Sequence, residues 1–400
     1  MTDAPRLTYK RLFNEVVATN RCSECGACVI VCPYNVLHYV GTKPRQTTFK
    51  ERPLDYCKIS EEGVGCDVCA QVCPILQRPG PPMEQAVLGR PRTEQEAQEF
   101  GVHREIIAAR SKDPRILAVG QDGGVVTTIL LWALEEKLID GAVLTGVDPN
   151  KPCYAIPAIA TTPDEILKCA GSWYTYAPNP LAVPEAMERG LRRLAFVGTS
   201  CHVSPFKKME WTDADTLRFG RKNEKHLLQQ QRYLKQCAEA IVLHIGLLCC
   251  ETFRYDQMME GKIQRDMGIP LTEVRQFNVK GKVLIYLKNG EVKEFPLKEG
   301  RTMAREECGH CNDFAAEYAD ISAGGVGTLG WTIVINRTDK GVDVFRRVLE
   351  AGLLETKPMD EFPNSMKILL RLARKQRERV AHEFLPGWSP IANTTPTSLQ

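Results

Sequence analysis

The sequence predicts two domains: a small α+β module at the amino terminus and a larger α/β domain with a mainly parallel sheet. Two observations predict this division. Eight cysteines in two compact motifs fall within residues 1–76, whereas strand and helix patterns alternate through residues 103–385. Residues 77–102 are rich in proline and charge and are expected to form a linker. Residues 386–400 are expected to form a loosely ordered tail.

The overall composition is that of an ordinary globular protein. The 400 residues are 43% hydrophobic and 25% charged, and the formal net charge of +3 does not favour a nucleic-acid partner. The sequence has no run of about 20 apolar residues, the length that a membrane helix needs. The first residues lack the apolar core of a secretion signal. We therefore expect a cytoplasmic protein with no membrane span.

The first cysteine motif has the spacing of a bacterial ferredoxin. The pattern is CxxCxxCxxxCP, formed by Cys22, Cys25, Cys28, Cys32 and Pro33. In such a motif three thiolates bind one 4Fe–4S cluster and the fourth binds the neighbouring cluster. A zinc site normally has two CxxC pairs separated by a long spacer, so the spacing favours an iron–sulfur cluster over zinc.

The second motif repeats the first with an insertion that displaces its first cysteine. The crossed ligation pattern then predicts two clusters, each with four ligands. The first set is Cys22, Cys25, Cys28 and Cys73, and the second set is Cys32, Cys57, Cys66 and Cys69. If the displaced Cys57 is not a ligand, the second cluster has three cysteines or an altered site. The module is thus predicted to be ferredoxin-like and to carry one electron at a time.

Hydrophobic patterns in the larger domain alternate between strands and helices. Strands are predicted at 106–109, 141–146, 194–198, 240–247 and 331–336. Helices are predicted at 125–138, 184–191, 225–238 and 340–353, and a further helix begins at a capping box around Thr162. A hairpin with strands at 279–286 and 291–297 is predicted around Asn289 and Gly290. This order is typical of an α/β fold.

A glycine-rich segment between a predicted strand and a predicted helix is a candidate site for a dinucleotide diphosphate. Adjacent glycines let backbone amides approach an oxyanion, and the helix amino terminus presents free N–H groups. The candidate residues are Asp122, Gly123, Gly124, Val125, Thr127 and Thr128. Because the segment matches neither GxGxxG nor a P-loop, a plain turn is the alternative.

Two other segments are candidates for the same ligand. Residues 171–176 combine aromatic rings with hydroxyl groups, among them Ser172 and Tyr174, and suit a flavin or deazaflavin ring. Ordinary packing of these aromatic side chains is the alternative. Gly198 and Thr199 end a predicted strand, where α/β folds usually bind their ligands.

The cysteines of the larger domain also follow a pattern. Cys201 follows one predicted strand, and Cys249 and Cys250 end the next. The CxxC pair Cys308 and Cys311 precedes the last predicted strand. Strand ends at one edge of a sheet could bring four thiolates together as a third cluster. A zinc site and separate buried thiols are the alternatives.

At these residues the chain resembles the coenzyme F420 hydrogenase/dehydrogenase beta-subunit family. The matching segments are GQDGGVVTTIL (120–130), AGSWYTYAPN (170–179), FVGTSCH (196–202), IGLLCCETF (245–253) and CGHCNDFAAEYADISAGGVGTLGWTIVINRT (308–338). In that family the second domain binds FAD and coenzyme F420, and its cysteines hold a cluster beside the flavin. The resemblance implies that the ligands are Cys201, Cys249, Cys308 and Cys311, with Cys250 as the alternative to Cys249.

The resemblance also implies a function. The chain would be an iron–sulfur flavoprotein subunit and an F420-dependent oxidoreductase of the beta-subunit type. Electrons would pass between coenzyme F420 as substrate, FAD and the clusters, and then to a partner such as a formate dehydrogenase or a hydrogenase. No residue is expected to act as a catalytic acid or base. One alternative is a ferredoxin-dependent FAD and iron–sulfur reductase of an organic substrate, and another is a pure electron-relay polyferredoxin.

Overall fold

The computed structural model describes residues 7–32, 37–40, 43–46, 68–211 and 224–380. The strands are β1 (Leu37–Val40), β2 (Lys43–Gln46), β3 (Glu105–Ser111), β4 (Gly141–Val147), β5 (Ala155–Ala160), β6 (Leu194–Thr199), β7 (Ile241–Leu247), β8 (Val274–Val279), β9 (Lys282–Leu287), β10 (Val292–Pro296), β11 (Ile321–Gly324), β12 (Thr332–Asn336) and β13 (Leu354–Lys357). These strands form three sheets.

Helices alternate with the strands through most of the larger domain. They are α1 (Tyr9–Leu12), α2 (Ala27–Ile30), α3 (Val68–Val72), α4 (Pro81–Leu88), α5 (Glu94–Gln98), α6 (Pro114–Val119), α7 (Val125–Glu135), α8 (Pro163–Lys168), α9 (Ala182–Glu188), α10 (Ser200–Trp211), α11 (Glu224–Glu239), α12 (Leu297–Gly300), α13 (Asp339–Glu350) and α14 (Pro363–Glu378). A longer π-helical segment, Asp256–Asp266, follows β7. Among the described residues, no helix is both long and apolar enough to cross a bilayer.

The main sheet has eight strands in the order β13-β3-β12-β11-β7-β6-β4-β5. Its four central strands, β11, β7, β6 and β4, are parallel to one another. The strands outside this centre pair antiparallel. The predicted parallel arrangement is therefore confirmed for the core of the sheet, and the flanking strands make the whole sheet mixed.

The strongest sequence patterns correspond to real elements. The strands predicted at 141–146, 194–198 and 240–247 are β4, β6 and β7. Helix α8 begins at the predicted capping box, where the Thr162 hydroxyl accepts from the N–H of Glu165. The hairpin at Asn289 and Gly290 joins β9 to β10, but a turn at Gly281 (φ 74°) splits the first predicted strand into the end of β8 and the start of β9.

Each face of the main sheet is covered by its own helices. Helices α7 and α13 pack on one face through residues such as Ile129 and Phe345. On the other face, Phe196 of β6 and Phe206 of α10 share one hydrophobic core with Val31 and Val72 of the amino-terminal module. The described part of the module is thus packed directly against the larger domain.

The segment predicted to be a linker is folded. It contains helices α4 and α5, and α5 begins with a capping box in which Thr93 and Glu96 bond each other's backbone N–H groups. Met83 and Leu88 are buried against the core. Residues 77–102 therefore connect the amino-terminal module to the larger domain as a packed, partly helical element.

A buried carboxylate beside the main sheet gives a testable pH dependence. Asp320 accepts from the N–H of His244 (2.9 Å) and the hydroxyl of Thr338 (2.8 Å), and its carboxylate lies 3.0 Å from Nζ of Lys340. Burial alone would raise the pKa of Asp320, but the His244 side chain and the charges of Lys207 and Lys340 lower it well below its usual value. A lowered folded-state pKa stabilises the fold above the unfolded pKa of about 3.9, and this contribution is lost as the pH falls.

We therefore expect Asp320→Asn to reduce the free energy of unfolding at pH 7 by about 2–3 kcal/mol. The difference from the unmodified protein should shrink as the pH falls below about 5, the upper edge of the range in which such a carboxylate is protonated. Urea unfolding at several pH values measures both effects. Asp343→Asn on the exposed face of α13 is the control and should change stability by less than about 0.5 kcal/mol. A difference that stays constant between pH 7 and about pH 2 would contradict this assignment.

Candidate iron–sulfur and cofactor site

The ends of two central strands and one long loop bring the predicted cysteines of the larger domain together. Cys201 lies in the first turn of α10, directly after β6, and Cys249 lies two residues after β7. Cys308 and Cys311 lie in the loop that leads to β11. Strands β6 and β7 end at the same edge of the sheet, which places Cys201 and Cys249 together. The loop before β11 brings Cys308 and Cys311 to them, so that all four side chains line one cavity of about 80 Å³.

The four thiols lie close enough to influence one another. Burial raises the pKa of Cys249 well above its usual value, and the charges of Cys308, Cys201 and Cys311 raise it further. Burial likewise raises the pKa of Cys311 to about 12, with Cys201 as the next contribution. The pKa of the adjacent Cys250 is also raised by burial, but the next contribution comes from Glu251. Both cysteines line the cavity, but Cys249 interacts with the other three thiols, whereas Cys250 packs against a separate hydrophobic core.

Hydrogen-bond donors surround these sulfur atoms. The Thr199 hydroxyl lies 3.2 Å from Sγ of Cys201, and the N–H of Thr252 donates to Sγ of Cys308 at 3.5 Å. Nε2 of the buried Gln376 donates to Sγ of Cys311 at 3.2 Å. Such bonds stabilise thiolate ligands and adjust the reduction potential of a cluster.

A zinc ion and a 4Fe–4S cluster need different arrangements of the sulfur atoms. Zn–S bonds are about 2.3 Å long, so thiolates around one zinc ion lie close together. Within the described ranges, no three His, Cys, Asp or Glu side chains are arranged to hold one metal ion. In a cubane each thiolate binds a different iron, which sets the sulfur atoms farther apart.

The amino-terminal cysteines form a second group. Burial raises the pKa of Cys28 well above its usual value, and Cys22, Cys25 and Cys73 add to this shift. These four residues are the set that the crossed pattern predicts for the first cluster. For the predicted second cluster, Cys32 is half-buried and Cys69 is buried. Its other members, Cys57 and Cys66, lie outside the described residues.

A much larger cavity of about 680 Å³ lies between the edge of the main sheet and the small sheet β8-β9-β10. This volume is typical of a site for an organic cofactor. Eight of the ten predicted cofactor residues line it: Asp122, Gly124, Val125, Thr127, Ser172, Tyr174, Gly198 and Thr199.

The other two predicted residues do not line this cavity. The N–H of Gly123 donates to Thr332 Oγ1, and a Cβ at this position would lie 2.5 Å from the carbonyl oxygen of Ala109. Thr128 Oγ1 donates to Ser111 Oγ at 2.8 Å. Both residues pack the glycine-rich segment against neighbouring strands, which gives them a supporting role.

Three buried polar atoms on residues of the cavity wall have no hydrogen-bond partner in the described part of the chain. They are Nε2 of Gln121, Nε1 of Trp173 and Nε2 of His202. Buried polar atoms in native proteins are nearly always paired. These atoms therefore fit a bound ligand that carries several polar atoms of its own, as a flavin dinucleotide does.

The glycine-rich segment is held in place by a charged contact. Nζ of Lys280 lies 2.9 Å from Oδ1 of Asp122 and also donates to the carbonyl oxygen of Gly325 at 3.2 Å. Gly325 is a close-approach position, because a Cβ there would overlap the Asp122 carboxylate. Lys280 thus joins the turn between β8 and β9 to the loops at the edge of the main sheet.

The two cavities adjoin. The residues that line both are Tyr176, Thr199, Cys249, Cys250 and Thr252. A cofactor in the large cavity would therefore be separated from the cysteine group by single side chains.

Sequence reasoning missed two contributors to this region. Arg305 stacks over Tyr176, and Gln376 reaches the cysteine group from α14. Arg305 lies three residues before the CxxC pair, which is a weak positional signal. The sequence carries no signal for Gln376, since its role depends on where α14 packs.

Comparisons with known proteins agree with this architecture. The model for the coenzyme F420 hydrogenase/dehydrogenase beta subunit matches residues 106–183 with its N-terminal part and residues 191–362 with its C-terminal part. A 4Fe-4S dicluster domain model matches residues 21–75, which confirms the predicted iron–sulfur module.

Individual relatives show the same relationship. The chain is 33% identical over 289 residues to the beta subunit of the coenzyme F420 hydrogenase of Methanococcus voltae, covering 72% of this chain and 95% of that protein. It is 29% identical over 378 residues to a subunit of the F420H2 dehydrogenase of Methanosarcina mazei, covering 92% of this chain and 93% of that protein.

A solved structure, the F420-reducing NiFe hydrogenase complex of Methanosarcina barkeri, contains a similar chain. The TM-score is 0.61 at 29% sequence identity, over 70% of this chain and 90% of that one. The chain therefore belongs to the coenzyme F420 hydrogenase/dehydrogenase beta-subunit family, as its sequence motifs predict.

Proposed function

We propose that this protein is an electron-transfer subunit that passes electrons between coenzyme F420 and a partner oxidoreductase through FAD and 4Fe–4S clusters. The observation that carries the proposal is the adjoining pair of cavities, one lined by five cysteines that include the four predicted ligands, and the other large enough for a flavin dinucleotide. The relatives from Methanococcus voltae and Methanosarcina mazei are subunits of an F420 hydrogenase and an F420H2 dehydrogenase.

Several features of the large cavity support FAD as its occupant. Gly124 (φ 68°) caps helix α7, so free backbone N–H groups at this amino terminus are available for a diphosphate. The unpaired donors of Gln121 and Trp173 suit the polar edge of a flavin ring or its phosphates. Bound FAD would supply the exchange between two-electron chemistry of F420 and the one-electron chemistry of clusters.

The residues of this chain would hold and orient the reacting groups. The apolar lining of the large cavity keeps water away from the ring, and the cysteine group at its inner end supplies four ligands for a third cluster. The first ferredoxin set, Cys22, Cys25, Cys28 and Cys73, would hold the next cluster. The match to the Methanosarcina mazei protein covers 92% of the chain, which supports a function for both domains together.

Purified, anaerobically prepared protein tests this proposal. We expect about one FAD and about twelve irons per chain, the content of three 4Fe–4S clusters. Reduced F420 should reduce the flavin and the clusters, whereas NADH should not. Protein without flavin would contradict the proposal and favour a polyferredoxin. Reduction by ferredoxin but not by F420 would instead favour a ferredoxin-dependent reductase.

Filling the large cavity should remove the flavin selectively. Val126 is half-buried and lines the cavity near the start of α7. We expect Val126→Trp to weaken FAD binding by about tenfold or more, since overpacking costs about 1–3 kcal/mol. Flavin and iron content per chain, measured on one sample, check the result.

The matched control is Leu349→Trp on α13, which packs on the same face of the sheet as α7 but does not line the large cavity. It should lower stability without lowering the flavin content of the folded protein. Loss of iron together with FAD in Val126→Trp would point to unfolding and contradict a cavity-specific effect.

A further inference from the structure

Arg305 lies between the two cysteine groups. Its backbone belongs to the larger domain, because its N–H donates to the carbonyl oxygen of Thr252 (3.0 Å) and its own carbonyl oxygen accepts from the N–H of Cys308 (3.1 Å). Its side chain is buried, with 8% of the residue exposed, and extends away from this loop toward the amino-terminal module.

The guanidinium group of Arg305 binds the loop between the first two cysteines of the ferredoxin motif. Nη2 donates to Oε2 of Glu24 at 2.5 Å and to the carbonyl oxygen of Ser23 at 3.3 Å. Glu24 is buried and has a left-handed backbone (φ 63°), which a residue with a Cβ adopts only when its surroundings enforce it. The ion pair with Arg305 is such a constraint.

The same guanidinium stacks on Tyr176, with Cζ 3.8 Å from the ring centroid. The hydroxyl of Tyr176 lies 3.9 Å from Sγ of Cys201. Burial raises the pKa of Tyr176, and the next contributions come from Cys201 and then Cys25, one from each cysteine group. The tyrosine ring therefore lies between the two groups, and Arg305 covers it.

We propose that Arg305 is a positioning residue that fixes the distance between the cluster of the first ferredoxin set and the cluster of the larger domain. This inference rests on the proposed function, since it requires a cluster at each cysteine group. The step that it controls is the passage of one electron, in which one cluster is oxidised and the other is reduced, and no bond or proton is involved.

An arginine is required because it makes both contacts at once. Its planar fork pairs with a carboxylate and a carbonyl while its face stacks on an aromatic ring, and a lysine provides only a point charge. Arg305→Lys therefore preserves the buried positive charge but loses the geometry. This substitution separates positioning from simple charge balance.

The experiment compares the full-length protein with Arg305→Lys and with the control Arg347→Lys. Arg347 also stacks on an aromatic ring, with Cζ 4.9 Å from the centroid of Trp132, and it lies near Asp343 and Glu136. It is on the opposite face of the sheet from the ferredoxin module. Iron content, the magnetic interaction between reduced clusters in EPR spectra, and the rate at which reduced F420 reduces the ferredoxin clusters are measured.

We expect Arg305→Lys to retain its iron, to show a weaker magnetic interaction and to slow cluster-to-cluster transfer severalfold, because electron tunnelling slows steeply as the distance between the clusters grows. The control should match the unmodified protein. If Arg305→Lys loses iron, Glu24→Gln is used instead, because it breaks the same contact from the other side. The magnetic interaction and the rate of cluster reduction then test whether this contact positions the clusters.

If a variant keeps its iron and shows an unchanged magnetic interaction and an unchanged rate of cluster reduction, the inference about Arg305 is overturned. The proposed function is not affected by that result. Unmodified protein with about eight irons per chain, the content of two clusters, would overturn the third cluster and this inference together. The two failures are thus distinguishable in one set of samples.

Discussion

Replacing Cys249 by alanine should remove about four irons per chain, the content of one cluster. The same substitution at the adjacent Cys250 should leave the iron content unchanged. We expect F420-driven reduction of the ferredoxin clusters to fall by more than about 100-fold in Cys249→Ala, because loss of an outer-shell partner alone costs up to about that factor. Iron analysis and stopped-flow reduction with F420 measure both quantities.

The contrast follows from where the two thiols lie. Cys249 is within electrostatic reach of Cys308, Cys201 and Cys311, and its carbonyl oxygen accepts from Nε2 of Gln376 at 3.2 Å. The carbonyl oxygen of Cys250 accepts from Arg379 at 2.9 Å, and its thiol is influenced mainly by Glu251 and Arg379 after burial.

The variants Cys249→Ala and Cys250→Ala serve as controls for each other. Both lose the sulfur atom of a half-buried residue, so a general loss of stability would appear in both. Iron loss in Cys250→Ala but not in Cys249→Ala would reverse the ligand assignment. Full iron content in both variants would mean that this cavity holds no cluster.

The cysteine groups could be predicted because their information is local. The ferredoxin spacing fixes which thiolates can reach one cluster, and three of the four residues of the first set lie within seven positions, 22–28. The group in the larger domain was predictable for a different reason. Strands β6 and β7 have clear apolar patterns, and neighbouring parallel strands end at one edge.

Short or atypical elements could not be predicted in the same way. Strand β11 has four residues and ends in a glycine-rich loop, so it lacks the length for a recognisable period. Helix α14 is amphipathic, but nothing in its sequence shows that Gln376 contacts a cysteine loop from a distant part of the chain. Such contacts are determined by tertiary packing alone.

In the predicted linker, charged residues are buried although their charge predicts exposure to solvent. Glu84 and Arg92 are charged residues of the kind expected in a solvent-exposed linker, yet both side chains are almost completely buried. Charged residues are usually exposed, and the exceptions are paired. A sequence does not distinguish a solvated charge from one whose partner lies more than 200 positions away, as Glu317 does from Arg92.

Glu317, the buried partner of Arg92 in residues 77–102, gives the second prediction with a large expected effect. We expect Glu317→Gln to lower the free energy of unfolding by about 3–5 kcal/mol, the usual cost of breaking a buried ion pair from one side. Oε2 of Glu317 lies 2.9 Å from Nη1 of Arg92, and its other oxygen binds Arg377 of α14. Burial alone would raise the pKa of Glu317, but the surrounding guanidinium groups lower it below its usual value.

The cost arises because the arginines remain buried after the carboxylate is gone. Urea unfolding of Glu317→Gln, with Glu185→Gln as control, measures it. Glu185 pairs with Arg189 on an exposed face of α9, and such pairs contribute about 0–1 kcal/mol. The double variant Glu317→Gln with Arg377→Met should recover part of the loss, since it removes a guanidinium whose carboxylate partner is Glu317. A Glu317→Gln protein as stable as the control would show that this ion pair does not anchor residues 77–102 to the loop that carries Cys308 and Cys311.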